Sequence, residues 1–155
     1  MNRKSHTITE KDVSSAIQRA LEKSQESTQA DYSSAIHSNR SDSLYRQVLL
    51  ACALAKTDDR GQFSPNAVVE PLSNILQRQV KIDAFQQHLE KFIKEDRGEV
   101  LIRRGKERSY KFRFRDPMMQ PYVIMRGIDE NLIPSSHLSA LSFPAQPELN
   151  LSSGS

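Results

Sequence analysis

The chain has 155 residues, of which 26% are charged and 37% hydrophobic, with a formal net charge of +3. This length predicts one domain, or one domain with appendages, and the single cysteine excludes an internal disulfide bond. No apolar stretch approaches the length of a membrane span and no secretion signal opens the chain, so the sequence predicts a cytoplasmic protein without a membrane partner.

The first predicted element is an amphipathic helix over residues 10 to about 27. Thr9, followed by Asp12, resembles a capping box at its start. The helix has one apolar stripe at helical spacing, formed by Val13, Ala16, Ile17, Ala20 and Leu21. No partner for this stripe is apparent, which suggests that something is missing from its side. Residues 1–28 are assigned to this helical segment.

The polar stretch "SQESTQADYSSAIHSNRSDS" follows and predicts mainly a linker, assigned to residues 29–42, in which residues 31–38 could form a turn or two of helix. The main domain is predicted over residues 43–128, opening with a helix near residues 43–56 that places Cys52 in the core. Phe63 is predicted in a short strand. Ser64 and Pro65 then predict the start of a second helix, which Pro71 would kink or interrupt.

The third helix of this domain is predicted to begin at Asp83, with Gln86 completing a capping box. Its apolar positions point to the core. Its outward face is predicted to carry Gln86, Gln87, Glu90, Lys91 and Lys94.

Two strands, "EVLIRR" and "SYKFRFR", predict a β-hairpin. We place Val100 and Ile102 on one face with the aromatic residues of the second strand, Tyr110, Phe112 and Phe114. This pairing requires a connecting loop of three or five residues unless a bulge intervenes. It predicts an outer face that carries Arg103, Lys111, Arg113 and Arg115.

Asp116 and Pro117 predict the start of a terminal helix that is rich in Met and Tyr. The chain beyond it lacks apolar periodicity, and residues 129–155 are predicted to be a disordered tail. The element order predicts an α+β fold, a winged helix-turn-helix of three helices plus a two-stranded hairpin wing. An N-terminal amphipathic helix and a C-terminal helix flank it.

The basic residues are concentrated in one region. Residues 99–115 hold seven cations and two acids, a local net charge of +5, whereas no Lys or Arg follows Gly127. Such a concentration is typical of an anion-binding surface. A second interpretation is that these cations keep the hairpin soluble and discourage pairing at its edge.

Motifs of known enzymes are missing from the sequence. It contains no GxxxxGK[ST] phosphate loop, no HExxH, no CxxC and no GxSxG, and its four histidines are scattered. The sequence therefore predicts a chain that is not an enzyme and has no metal site and no cofactor of its own.

Two segments carry a resemblance to a family. The segment "ITEKDVSSAIQRALEKSQ" is similar to the closing helix of the lid subdomain in AAA+ ATPases of the origin-recognition initiator type. The segments "LYRQVLLACALAK", "FSPNAVVEPLSNIL", "IDAFQQHLEKF" and "RGEVLIRRGKERSYKFRFRDPMMQPYVIMRG" resemble the winged-helix end of bacterial ATPases of that class. The resemblance covers roughly residues 8–127. It implies that residues 1–28 form a lid-like helix and that the chain is the C-terminal piece of a larger ATPase.

The resemblance also implies a partner, double-stranded DNA, because the helix after the turn and the wing touch DNA in the initiators. Glu90 lies within that helix face here, which favours contacts to the DNA backbone over base recognition. The predicted nucleic-acid-binding residues are Gln86, Gln87, Lys91, Lys94, Arg103, Arg104, Lys106, Arg108, Lys111, Arg113 and Arg115.

Two other functions are compatible with the sequence. The module could instead be a protein-interaction winged helix that docks a protein partner or the ATPase core of its own parent protein. The mixed charge of the third helix favours this alternative, whereas the wing favours DNA. A stand-alone transcription regulator is a third hypothesis, and it leaves the lid-like first helix unexplained.

Overall fold

The computed structural model describes residues 9–140, whose α+β composition confirms that part of the predicted fold. Within this range the chain forms two β-strands and six α-helices. None of these helices has both the length and the apolar content that a membrane crossing requires. The helices are α1 (Glu10–Glu22), α2 (Glu26–Ile36), α3 (Tyr45–Leu54), α4 (Asn66–Leu76), α5 (Gln86–Phe92) and α6 (Met119–Asp129), and the strands are β1 (Leu101–Arg104) and β2 (Lys111–Phe114).

The capping box at the start of α1 is confirmed. The Asp12 amide donates to Thr9 Oγ1 at 3.1 Å, and the Thr9 amide donates to Asp12 Oδ2 at 3.2 Å. The prediction that the apolar stripe of this helix lacks a partner is wrong. Helix α1 packs on α6, and Ile17 is only 3% exposed. The partner of the apolar stripe is therefore a helix of this same chain, about a hundred residues further along.

A packed helix occupies most of the segment predicted as a linker. The first helix ends at Glu22, and α2 follows over Glu26–Ile36. Tyr32 and Ala35 are buried, and the Tyr32 ring meets the Tyr122 ring edge-on at 5.4 Å between centroids. Only a narrow face of α2 is buried, and the rest of the helix is polar. Its sequence therefore lacks the broad apolar stripe that predicts a packed helix.

The centre of the fold is α3, which packs against both α4 and α6. Cys52 is buried there as predicted, and burial raises the pKa of its thiol far above the ordinary range. The approach of α6 to α3 depends on Gly127. A Cβ at that position would lie 2.7 Å from Leu50 Cδ1, closer than two carbon atoms can pack.

The starts of α4 and α5 differ from their predictions. No side chain caps α4, which begins after Pro65 and continues unbroken through Pro71. A 3-10 helix at Ile82–Ala84 precedes α5, so Asp83 lies before the helix and does not cap it. The exposed Asp83 therefore belongs to the turn between the two helices.

The strands pair in a register that the sequence did not predict. The antiparallel pairs are Leu101 with Phe114, Ile102 with Arg113, Arg103 with Phe112 and Arg104 with Lys111. Six residues, 105–110, separate the paired ends, so the predicted loop of three or five residues is wrong. Arg103 consequently shares a face with Phe112 and does not belong to the outer face.

Phe63 extends this sheet by one bridge. Its amide and carbonyl each bond to the backbone of Phe112 at 2.8 Å, and the two rings stack at 6.1 Å between centroids. The predicted short strand is thus reduced to a single bridging residue between α3 and α4.

Part of the predicted disordered tail is folded. The Leu132 amide donates to the Gly127 carbonyl at 2.8 Å, Ile133 is 7% exposed, and a 3-10 helix follows at Ser135–Ala140. The disorder predicted for residues 141–155 lies outside the described residues.

We expect residues 130–140 to contribute to stability. A chain ending at Asp129 loses the buried Ile133 side chain, a loss of roughly 2–5 kcal/mol for a residue of this kind. Its melting temperature should fall by at least roughly 4–8 °C, since each kcal/mol shifts it by about 2–4 °C. A chain ending at Ala140 is the control for the segment beyond. Equal melting temperatures of the two truncated chains, measured by calorimetry, would contradict this expectation.

Candidate nucleic-acid interface

The register gives the hairpin two chemically different faces. Leu101, Arg103, Phe112 and Phe114 alternate onto the first face, and Phe112 and Leu101 are completely buried. The second face carries Ile102, Arg104, Lys111 and Arg113. The aromatic strand therefore closes the core, as predicted, while its cations turn outward.

Arg103 is paired within the molecule. Its guanidinium donates to both carboxylate oxygens of Glu90 in α5, at 2.8 and 2.9 Å, and it lies 4.3 Å from the centroid of the Tyr110 ring. This half-buried pair joins the hairpin to α5 and neutralises the acid in the outward face of that helix. The prediction that Arg103 lies on the outer face is therefore wrong.

Two further cations on β2 and just after it hold the hairpin in place. Lys111 Nζ lies 2.9 Å from Oδ2 of Asp58, a residue of the loop before Phe63. Arg115 pairs with Asp31 of α2 at 2.8 Å and also donates to the Glu99 and Gly98 carbonyls. Arg113 is half-buried, with one contact to the Phe114 carbonyl at 3.4 Å.

The cations in and beside the turn are different. Arg104, Lys106 and Arg108 are exposed, and no acid within residues 9–140 forms an ion pair with any of them. The turn closes through the Ser109 amide, which donates to the Lys106 carbonyl at 2.8 Å. These three side chains are available to an anion from solvent.

The outward face of α5 carries less charge than the hairpin. Gln87 and Lys91 are exposed, Gln86 is half-buried, and Lys94 lies past the end of the helix at Phe92. The helix has only seven residues, so it presents about two turns. Its contribution to an interface is small beside that of the hairpin turn.

The loop of residues 58–62 contributes a cation that the sequence reading missed. Asp58 Oδ1 accepts hydrogen bonds from the Arg60 amide at 2.8 Å and the Gln62 amide at 3.0 Å. This geometry places Arg60 at a concavity of about 350 Å³, which it lines together with Gln62, Arg104, Gly105, Ser109 and Lys111. The signal for this loop in the sequence is the turn-forming segment "DDRGQ", which does not show where the Arg60 side chain lies.

Arg108 has an unusual backbone conformation. Its φ of +77° lies in the left-handed region that glycine favours, at the third position of the turn that Ser109 closes. A side chain there costs roughly 1–2 kcal/mol. The turn thus holds a cation at a position where a glycine would be more stable.

We expect Arg108→Gly to be more stable than Arg108→Ala by about 1 kcal/mol, because glycine adopts this φ without strain. Both variants lose the same charge, so they differ only in backbone freedom. Urea denaturation of the two proteins measures the difference. If the alanine variant is at least as stable as the glycine variant, the turn does not have this strained conformation in solution.

Asp58 is held in its ionised form. The hydrogen bond from Lys111, followed by those from the Gln62 and Arg60 amides, lowers the pKa of its carboxyl group from 3.8 to about 2. Because this pKa is lower in the folded protein than in the unfolded chain, ionised Asp58 stabilises the fold at pH values above 3.8. The contribution is lost as the pH falls through about 2.

We expect Lys111→Met to raise the pKa of Asp58 towards its ordinary value, because the largest cause of the shift is removed. The two backbone amides remain, so the pKa should stay below 3.8. Carboxyl NMR titration measures it, and Arg104→Met serves as the control. An equal rise in both variants would show that general charge, not the Lys111 contact, depresses the pKa.

Metal-binding groups are not brought together in the part of the chain that the structure describes: no three His, Cys, Asp or Glu side chains cluster within residues 9–140. His88 is half-buried and meets the Tyr45 ring at 4.9 Å between centroids. Its burial, with the nearby charge of Arg97, lowers the pKa of its imidazole.

No protein-family model, curated protein or solved structure matches this chain. The functional assignment therefore depends on the residues and their geometry alone.

Proposed function

We propose that this chain is a winged-helix module that binds double-stranded DNA mainly through the hairpin of β1 and β2, its wing. One observation carries this proposal. Arg104, Lys106 and Arg108 are exposed at the end of the hairpin, and within residues 9–140 no acid pairs with them. A projecting loop with three unpaired cations suits a row of phosphates.

The order of elements supports the winged-helix assignment. From α3 onward the chain runs helix, bridging residue, helix, helix and hairpin, and Phe63 bonds to the second strand of the hairpin. In this arrangement α4 and α5 are the two helices of a helix-turn-helix, joined by residues 77–85.

Contacts to the DNA backbone fit this surface better than base recognition. The helix that would enter a groove, α5, has seven residues, and its central Glu90 pairs with Arg103. Cations that reach phosphates position a protein without reading sequence. Lys91 and Lys94 would add to these contacts from the side of α5.

In this proposal the chain itself supplies no catalytic group and no cofactor. Its resemblance to the C-terminal region of initiator-type AAA+ ATPases gives it a second partner, the ATPase core of a parent protein. The α1 helix, which packs on α6, would connect the module to that core.

A second candidate function is protein interaction. It is favoured by a groove of about 610 Å³ between α4 and the turn after α6, with Leu54, Pro71, Ile75, Leu132 and Ile133 among its lining residues. Mixed apolar and polar lining of this kind suits a peptide or a protein segment.

We expect the protein to bind a random DNA duplex at low salt with a dissociation constant on the order of 10⁻⁴ to 10⁻⁶ M. Neutralising about three or four phosphates gives a slope of log K against log salt near −3 to −4. Changing Arg104, Lys106 and Arg108 together to Glu should abolish binding without lowering the melting temperature, because all three are exposed. Fluorescence anisotropy at several salt concentrations measures the dissociation constant and the salt slope.

The matched control changes Lys11 and Arg19, exposed cations on α1, and Lys23, the exposed residue directly after it, to Glu. This variant has the same net charge as the hairpin variant and should retain binding. A wild-type protein that does not bind, or two triple variants that bind alike, would contradict DNA binding through the wing and favour the protein-interaction function.

A further inference from the structure

The concavity beside the hairpin gathers cations from separate parts of the chain. Arg60 comes from the loop before Phe63, Arg104 ends β1, and Lys111 begins β2. Ser109 and Gln62 add a hydroxyl and an amide to the lining. At about 350 Å³ it has room for a phosphate group and several waters, each of which fills about 30 Å³.

Asp58 supports this concavity in two ways. One carboxylate oxygen fixes the loop by accepting from the Arg60 and Gln62 amides, and the other pairs with Lys111 at 2.9 Å. The carboxylate therefore fixes the backbone at Arg60 and supplies a counter-ion to Lys111 at the same time.

We propose that this concavity binds one backbone phosphate of a DNA duplex between Arg60, Arg104 and Lys111. Asp58 is a positioning residue that holds Lys111 until the phosphate replaces it as the counter-ion. This inference rests on the proposed function and extends it from the hairpin turn to a loop of a different region. The concavity lies next to the turn that carries Lys106 and Arg108, so the concavity and the turn form one continuous surface.

The first test is Arg60→Glu, compared with Lys11→Glu. The two variants have the same net charge, and Lys11 lies in the first turn of α1, which packs on α6. Arg60→Glu should weaken binding to a random duplex by on the order of tenfold and reduce the salt slope by about one. Arg60→Lys should restore most of the affinity. Lys11→Glu should change neither the affinity nor the slope appreciably.

The second test is Asp58→Asn, compared with Asp59→Asn. The asparagine keeps the oxygen that accepts from the two amides but removes the charge beside Lys111. We expect the affinity to rise roughly three- to tenfold with little change in the salt slope, because Lys111 no longer has to leave a counter-ion in order to bind the same phosphate. Asp59 is the next residue and is also exposed, but no hydrogen bond or ion pair of its side chain is found within residues 9–140. Its variant should bind like the wild type.

The outcomes separate this inference from the proposed function. If the wild type binds DNA but each variant behaves like its control, the concavity is overturned while DNA binding by the turn stands. If the wild type does not bind the duplex, the proposed function is overturned and NMR titration with inorganic phosphate decides the concavity. Amide shifts confined to residues 58–62 and 104–111 would support it as a phosphate site, and their absence would overturn it.

Discussion

The pairing of Phe112 with Phe63 is the interaction on which the hairpin and its charged surface depend. Two backbone hydrogen bonds and stacked rings join these residues, and both side chains are buried. Burial of an aromatic ring of this kind is worth roughly 3–5 kcal/mol. Because side chains alternate along a strand, a fixed Phe112 also directs Lys111 and Arg113 to the opposite face.

The cations near the core and those at the turn have different roles. Arg103, Lys111 and Arg115 pair with Glu90, Asp58 and Asp31, which lie in three different elements. These pairs hold the hairpin against α5, the loop before Phe63 and α2. The turn lies beyond the reach of those acids, so its cations keep their full charge towards solvent. A positive surface at the end of a supported hairpin is the physical basis of the proposed DNA binding.

Asp58 links the fold to the proposed interface. The carboxylate that shapes its loop also offsets the charge of Lys111, so part of the surface is neutralised from within. An internal counter-ion of this kind lowers the cost of placing Arg60, Arg104 and Lys111 around one concavity. It also makes the strength of the surface depend on a residue with no positive charge of its own.

The sequence alone determined the α+β class, the capping box at Thr9, the buried Cys52 and the concentration of cations at the hairpin, because these follow from local spacing and composition. It misjudged α2 and residues 130–140, because their buried side chains, Tyr32 and Ile133 among them, stand in sequences without apolar periodicity. Only the tertiary structure decided the strand register, since the core buries Leu101, not Ile102, on the face of Phe112, and a six-residue connection matches that parity. It also decided which cations are paired, because Asp58, Glu90 and Asp31 approach the hairpin only when distant segments pack together.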